Sequence, residues 1–179
     1  AGGDWMQTWS GRRLHPLNPD PAAIEIVDIA AALSKMCRYN GHVRDDLHYS
    51  VAEHSVLLAR FVSPPNRLWA LLHDASEAYL ADIVRPAKRG LPDYRAVEAR
   101  LMAAVCARFG LDPDMPAELA EADSRILNDE REQGLGPMID GVPWSVPGGP
   151  LGVRLFFWER VVARRKFLEA FAEFGGRMR

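Results

Sequence analysis

Three stretches of this 179-residue chain place ionisable side chains where a helix should be apolar. In SVAEHSVLLARFV, His54 falls on one face with Val51, Leu58 and Phe61, so it is expected to point inward. In LWALLHDASEAYLAD, His73, Asp74 and Glu77 stand inside an apolar run, and further on Asp123 lies between Leu119 and Ile126 on an expected core face. A buried carboxylate without a partner is costly, and in folded proteins it is neutralised, paired or bound to a metal. Two imidazoles and two carboxylates from three helices can satisfy one another through a divalent cation. His54, His73, Asp74 and Asp123 are therefore the expected metal ligands.

Each has an ordinary reading when taken singly. His54 can be a hydrogen-bonded core histidine, His73-Asp74 a chance dipeptide, and Asp123 the ion-pair partner of an arginine. The set of four, spread over separate helices, favours the metal. His73 and Asp74 are adjacent and diverge by about 100° around an α-helix, so they share one ion only if it sits over the helix flank.

The elements that must position these residues read as helices. Asp20-Pro21 is a start signal, with Asp as N-cap and Pro at the first helical position, and the segment AAIEIVDIAAALSKMCRY that follows has apolar residues at 3–4 spacing. A polar loop from about Asn40 to Tyr49 precedes Ser50 and Glu53, a capping-box pair that opens the next helix. Pro64-Pro65 ends it, and Asn66 to Leu80 reads as one further helix. Arg85 to Leu91 reads as a break, Pro92 to Phe109 as a long amphipathic helix stopped by Gly110, and Pro116 to about Gln133 as another. The Gly/Pro-rich stretch 134–152 is a loop, and a last helix is expected over about Val153 to Phe174. No internal repeat and no extended strand-like alternation is present. The expected architecture is all-α, a single helical-bundle domain over 1–179 with about six helices. Its core lies at about 21–133, with the C-terminal loop and helix at 134–175.

Composition narrows the function classes. Hydrophobic residues make up 48% and charged residues 26%, the balance of a soluble globular protein, and the net charge of -2 disfavours stable nucleic-acid binding. The two cysteines, Cys37 and Cys106, sit in apolar patterns and do not form a disulfide framework. The first residues lack the apolar core of a signal peptide, and no apolar run approaches the ~20 residues of a membrane span. The expected compartment is the cytoplasm, with no membrane association.

Glu53-His54-Ser55, then His73-Asp74-Ala75-Ser76-Glu77 followed by Asp82, Pro86 and Lys88, then Ala122-Asp123, together resemble the motifs of the HD-domain phosphohydrolases. The closest likeness is to their bacterial 5′-deoxynucleotidases, over roughly residues 38–123. The resemblance implies an α-helical HD domain holding one divalent ion (Co, Mn, Zn, Fe, Ni or Mg) on His54, His73, Asp74 and Asp123. It further implies release of phosphate from a (deoxy)nucleoside monophosphate by a metal-activated water, a role in nucleotide metabolism, and a tendency to form homodimers. Glu77 and Asp82 match the positions that handle water and the leaving group, and are carried over as catalytic. Arg38 and Tyr39 match an Arg-Trp pair that contacts phosphate and sugar, with Tyr39 standing in place of Trp, and Lys88 is the other phosphate contact.

Two rival readings remain within reach of the same residues. One is a dNTP triphosphohydrolase, for which Arg12, Arg13, Arg44, Arg85 and Arg89 offer extra cations. The other is a non-catalytic nucleotide-sensing HD module, against which Glu77 and Asp82 argue. Asp129-Glu130 is a candidate to support the ligands, since Glu130 lies seven residues after Asp123 and shares its helix face. His42 and His48 lie in the loop before the first metal helix and are left outside the site, and Trp144 reads as an anchor of the 134–152 loop.

Overall fold

The computed structural model describes residues 4–142, 144 and 146–177. Among the described residues eight α-helices carry the fold: α1 (Ile26–Leu33), α2 (Val51–Phe61), α3 (Arg67–Leu72), α4 (Glu77–Leu80), α5 (Arg85–Lys88), α6 (Pro92–Phe109), α7 (Ala117–Gly134) and α8 (Arg160–Glu173). The chain is thus mostly helical, as expected. The only sheet among the described residues is a hairpin of two-residue strands, β1 (Met6–Gln7) and β2 (Arg13–Leu14), which the sequence pattern is too short to announce.

Helix α2 is the centre of the molecule. Every residue from Val51 to Ala59 is buried, because α3, α7 and α8 pack around it. His54 accordingly lies inside with Val51 and Leu58, whereas Phe61, expected on that inner face, is 43% exposed at the helix end. Ser50 caps α2 by accepting the Glu53 amide at 3.1 Å. The other half of the capping box is absent, since the Glu53 carboxylate points to a different partner. Helix α1 packs on α8 and α4, and the core continues through Leu101, Leu119, Ile126, Phe167 and Phe171.

Four expected elements are corrected. The long helix after Pro21 is a 3-10 turn (Pro21–Ala23) and then α1, which stops at Leu33; Arg38–Gly41 is a second 3-10 turn with Tyr39 and Asn40 at positive φ. The helix expected over 66–80 is interrupted at the His-Asp pair. There His73 Nδ1 donates to the Ala70 carbonyl at 2.7 Å, and the amides of Ala75, Glu77, Ala78 and Tyr79 each bond three residues back. The winding tightens to 3-10 geometry because a side chain competes for a helix carbonyl. The expected break at 85–91 contains α5, whose Pro86 is tolerated in the first turn, where no backbone donor is missed. The last helix begins at Arg160 and not near Val153, because the amides of Phe156, Phe157 and Trp158 bind Glu53 and Phe157 sits at φ 53.

The boundaries of α6 and α7 fall close to those expected, and Gly110 ends α6 at φ 70 in the left-handed conformation that suits glycine. Both cysteines are free, and Cys37 lies outside any helix. No helix among the described residues is long and apolar enough to cross a membrane.

Candidate metal centre

Three helical segments bring four acceptor atoms to one point beneath the surface. His54 comes from the first half of α2, His73 and Asp74 from the tight winding after α3, and Asp123 from the first half of α7. His54 Nε2 lies 3.3 Å from His73 Nε2, 3.3 Å from Asp123 Oδ1 and 3.7 Å from Asp74 Oδ2. His73 Nε2 lies 3.1 Å from Asp74 Oδ2 and 3.8 Å from Asp123 Oδ1. Both imidazoles are buried and the two carboxylates are about one-fifth exposed, so the cluster opens to solvent on its acidic side. His73 and Asp74, neighbours in the chain, converge through their side chains, with Nε2 and Oδ2 3.1 Å apart.

The proton positions decide what this cluster can hold. His54 Nδ1 donates to Glu130 Oε1 at 2.7 Å and His73 Nδ1 donates to the Ala70 carbonyl at 2.7 Å. Each ring therefore presents a bare Nε2 lone pair to the other and to two carboxylates. Four acceptors at 3.1–3.8 Å are unstable together unless a cation or an extra proton lies among them. In the cation-free protein a proton does so: burial pulls the His73 imidazole down, but Asp74 and Asp123 outweigh it and raise the group to about 9. Burial would lift Asp74 and Asp123, yet the facing imidazoles hold both well below the usual carboxylate range.

The same arrangement fits a divalent ion. Metal–ligand bonds of about 2.0–2.2 Å put neighbouring ligand atoms roughly 3.0–3.5 Å apart, close to the spacing here. His54, His73 and Asp123 form a group that could hold a metal, their ligand atoms all lying within 4.8 Å of one another, and Asp74 Oδ2 stands beside them. A ring nitrogen whose other N–H is anchored by a carboxylate or carbonyl is the usual form of a metal-binding histidine.

Behind His54 lies a buried support. Glu130, completely inaccessible, accepts from His54 Nδ1, from Tyr49 Oη at 2.9 Å, from Tyr39 Oη and from Arg38 Nη2 at 3.2 Å. Burial would raise the Glu130 carboxyl, but Arg38 and His54 hold it below its usual range. Glu130 is reachable from sequence by its spacing from Asp123. Tyr49 is not, because nothing in the loop before Ser50 marks it.

The remaining expected residues are distributed as follows. Arg38 stands 3.6 Å from Asp74 Oδ2, and its buried Nε has no partner, so this guanidinium borders the cluster with donor capacity left over. Tyr39 spends its hydroxyl on Glu130. Glu77 is 5% exposed with Oε2 unpartnered, and burial, then Asp74 and Asp82, push its carboxyl well up. Asp82 is half-buried and raised, chiefly by burial. Lys88 pairs with Glu98 at 2.7 Å and lies 3.7 Å from Glu77. Arg85 binds Asp123 Oδ2, turning Oδ1 toward the imidazoles, a contact the sequence foreshadows only as an unspecified arginine. His48 Nε2 bonds the Ser34 carbonyl at 3.1 Å, away from the cluster, and Trp144 is held by Arg131, which donates to its carbonyl at 2.8 Å.

No family model matches the chain. It is similar to an uncharacterized protein, YfdR, of Escherichia coli (strain K12), with 38% identity over 152 residues that cover 85% of this chain and 83% of that relative. It is also similar to an uncharacterized protein, RCAP_rcc00048, of Rhodobacter capsulatus, with 44% identity over 126 residues, 66% of this chain and 64% of that relative. On the extent of the first match, the chain belongs to the same family as YfdR.

Proposed function

We propose that this chain is an HD-domain metal-dependent phosphohydrolase that releases phosphate from nucleoside 5′-monophosphates. The observation that carries the reading is the meeting of His54 Nε2, His73 Nε2, Asp74 Oδ2 and Asp123 Oδ1 with both imidazole Nδ1 protons directed away. A divalent ion on these four atoms would polarise a phosphoryl oxygen and acidify water.

The rest of the site supplies what phosphoryl transfer needs from a protein, positioning and charge. Arg38 offers the free Nε–H to a phosphate oxygen beside Asp74. Glu130 fixes both Arg38 and His54, so anion contact and ligand orientation share one support. Glu77, whose carboxyl is pushed up by burial and then by Asp74 and Asp82, has Oε2 unengaged and is the group to hand a proton to a departing oxygen. Asp82, closer to solvent, can exchange protons between that carboxyl and bulk water.

The test is phosphate release from a panel of ribo- and deoxyribonucleoside 5′-monophosphates. It uses chelator-treated protein resupplied with Mn, Co, Mg or Zn, beside Asp74→Asn. Release that needs metal and is lost in the variant supports the proposal. Metal binding without release from any nucleotide would overturn it in favour of a sensing module.

A further inference from the structure

Four cations gather in one place beside the metal cluster. A cleft of about 240 Å³ is lined by Arg85, Lys88, Arg89 and Arg95, where α5 turns into α6. The chain as a whole carries a net charge of -2, so this concentration does not follow from composition. Arg85 is occupied by Asp123 and Lys88 by Glu98 and Glu77, but among the described residues Arg89 and Arg95 form no ion pair, and both are exposed.

The cleft is fastened to one residue of the metal cluster and to two points on its flank. Arg85 bonds Asp123 Oδ2, Lys88 approaches Glu77, and Tyr94 Oη donates to the Ala81 carbonyl at 2.7 Å, one residue before Asp82. Its scaffold is local and tight, with the amides of Gly90 and Leu91 bonded to the carbonyls of Ala87 and Lys88 and the Arg95 amide to Leu91. The volume is below the roughly 300–1,000 Å³ that encloses a whole small ligand, so the cleft suits one part of a larger one. Four cations exclude a metal ion, and guanidinium forks match phosphate oxygens in pairs.

We propose that this cleft binds a second phosphate group when the nucleotide carries one, beyond the phosphate that is cleaved, so that phosphate-rich nucleotides are favoured over the plain monophosphate. The inference rests on the phosphohydrolase reading only for where the scissile group lies; the cleft itself can be tested without it. The second phosphate can be linked in a chain, as in a nucleoside triphosphate, or carried separately, as in a 3′,5′-bisphosphate.

The experiment has two arms. Calorimetric titration of chelator-treated protein with inorganic pyrophosphate should show binding that weakens about tenfold or more in the double variant Arg89→Ala, Arg95→Ala. Circular dichroism confirms that the variant folds, as two exposed and unpaired side chains allow. With metal restored, kcat/KM is compared for a nucleoside 5′-monophosphate, its 5′-triphosphate and its 3′,5′-bisphosphate. The preference for one phosphate-rich substrate over the monophosphate should fall about tenfold in the variant, through KM, and the substrate affected identifies the source. Equal pyrophosphate affinity in wild type and variant would overturn the proposal. Loss of pyrophosphate binding in the variant, with no nucleotide hydrolysed by wild type, would retain the cleft and remove the phosphohydrolase reading.

Discussion

Glu130 gathers four hydrogen-bond donors behind the cluster. A buried carboxylate with four donors is stable only while they stay in place, and Tyr39, Tyr49, Arg38 and His54 are all fixed by it. Glu130→Gln keeps the shape but removes the charge and turns one acceptor into a donor facing others. We expect metal affinity to fall about 10–100-fold, the usual cost of losing a histidine's outer partner, read by competition with a chromogenic chelator. Glu77→Gln should behave in the opposite way. It should bind metal as wild type does while its kcat for phosphate release drops on the order of 10²–10⁴-fold, the range for a lost general acid or base. The two variants thus separate support of the ion from handling of the proton. The four residues of the cluster are legible in the sequence because each is an ionisable group in an apolar run. Tyr49 and Arg85 are not, because their importance comes from partners 81 and 38 residues away.

Among the elements, those set by capping or turn residues can be read and those shaped by one particular side-chain contact cannot. Gly110 after α6 and Ser50 before α2 act on their own neighbours, so the boundaries they set agree with the structure. The interruption after α3 depends on the His73 ring taking a backbone carbonyl, and the late start of α8 depends on Glu53, more than 100 residues earlier. Glu53 accepts the amides of Phe156, Phe157 and Trp158 at 2.6, 3.0 and 2.7 Å. Replacing it with alanine strands three donors against a buried helix. The expected cost is about 3 kcal/mol or more, since each unsatisfied buried group costs roughly 1–3 kcal/mol and water can rescue some of them. Urea unfolding measures it. Glu53→Gln, which keeps one carbonyl oxygen, should lose less. An equal loss in both would assign the effect to charge and not to amide capture.

At the scale of the molecule, a metal bound at this cluster would be linked to folding, because the candidate ligands come from α2, the turn after α3, and α7. An ion that binds only when these segments are assembled stabilises the native state by about 2.7 kcal/mol at a free concentration 100 times Kd. For a chain of this length that corresponds to a rise in Tm of roughly 5–10 °C. Differential scanning fluorimetry with and without chelator should show it for wild type, and Asp123→Ala should abolish it. A further consequence follows from Glu53 and His54 being neighbours on α2. During synthesis the nascent chain displays both long before Asp123, and longer still before Phe156, has left the ribosome. The candidate metal ligands cannot all meet until α7 emerges, and the amides that bind Glu53 emerge later still. A chain cut ahead of residue 156 therefore leaves the Glu53 carboxylate without its amide partners, directly beside His54 on α2.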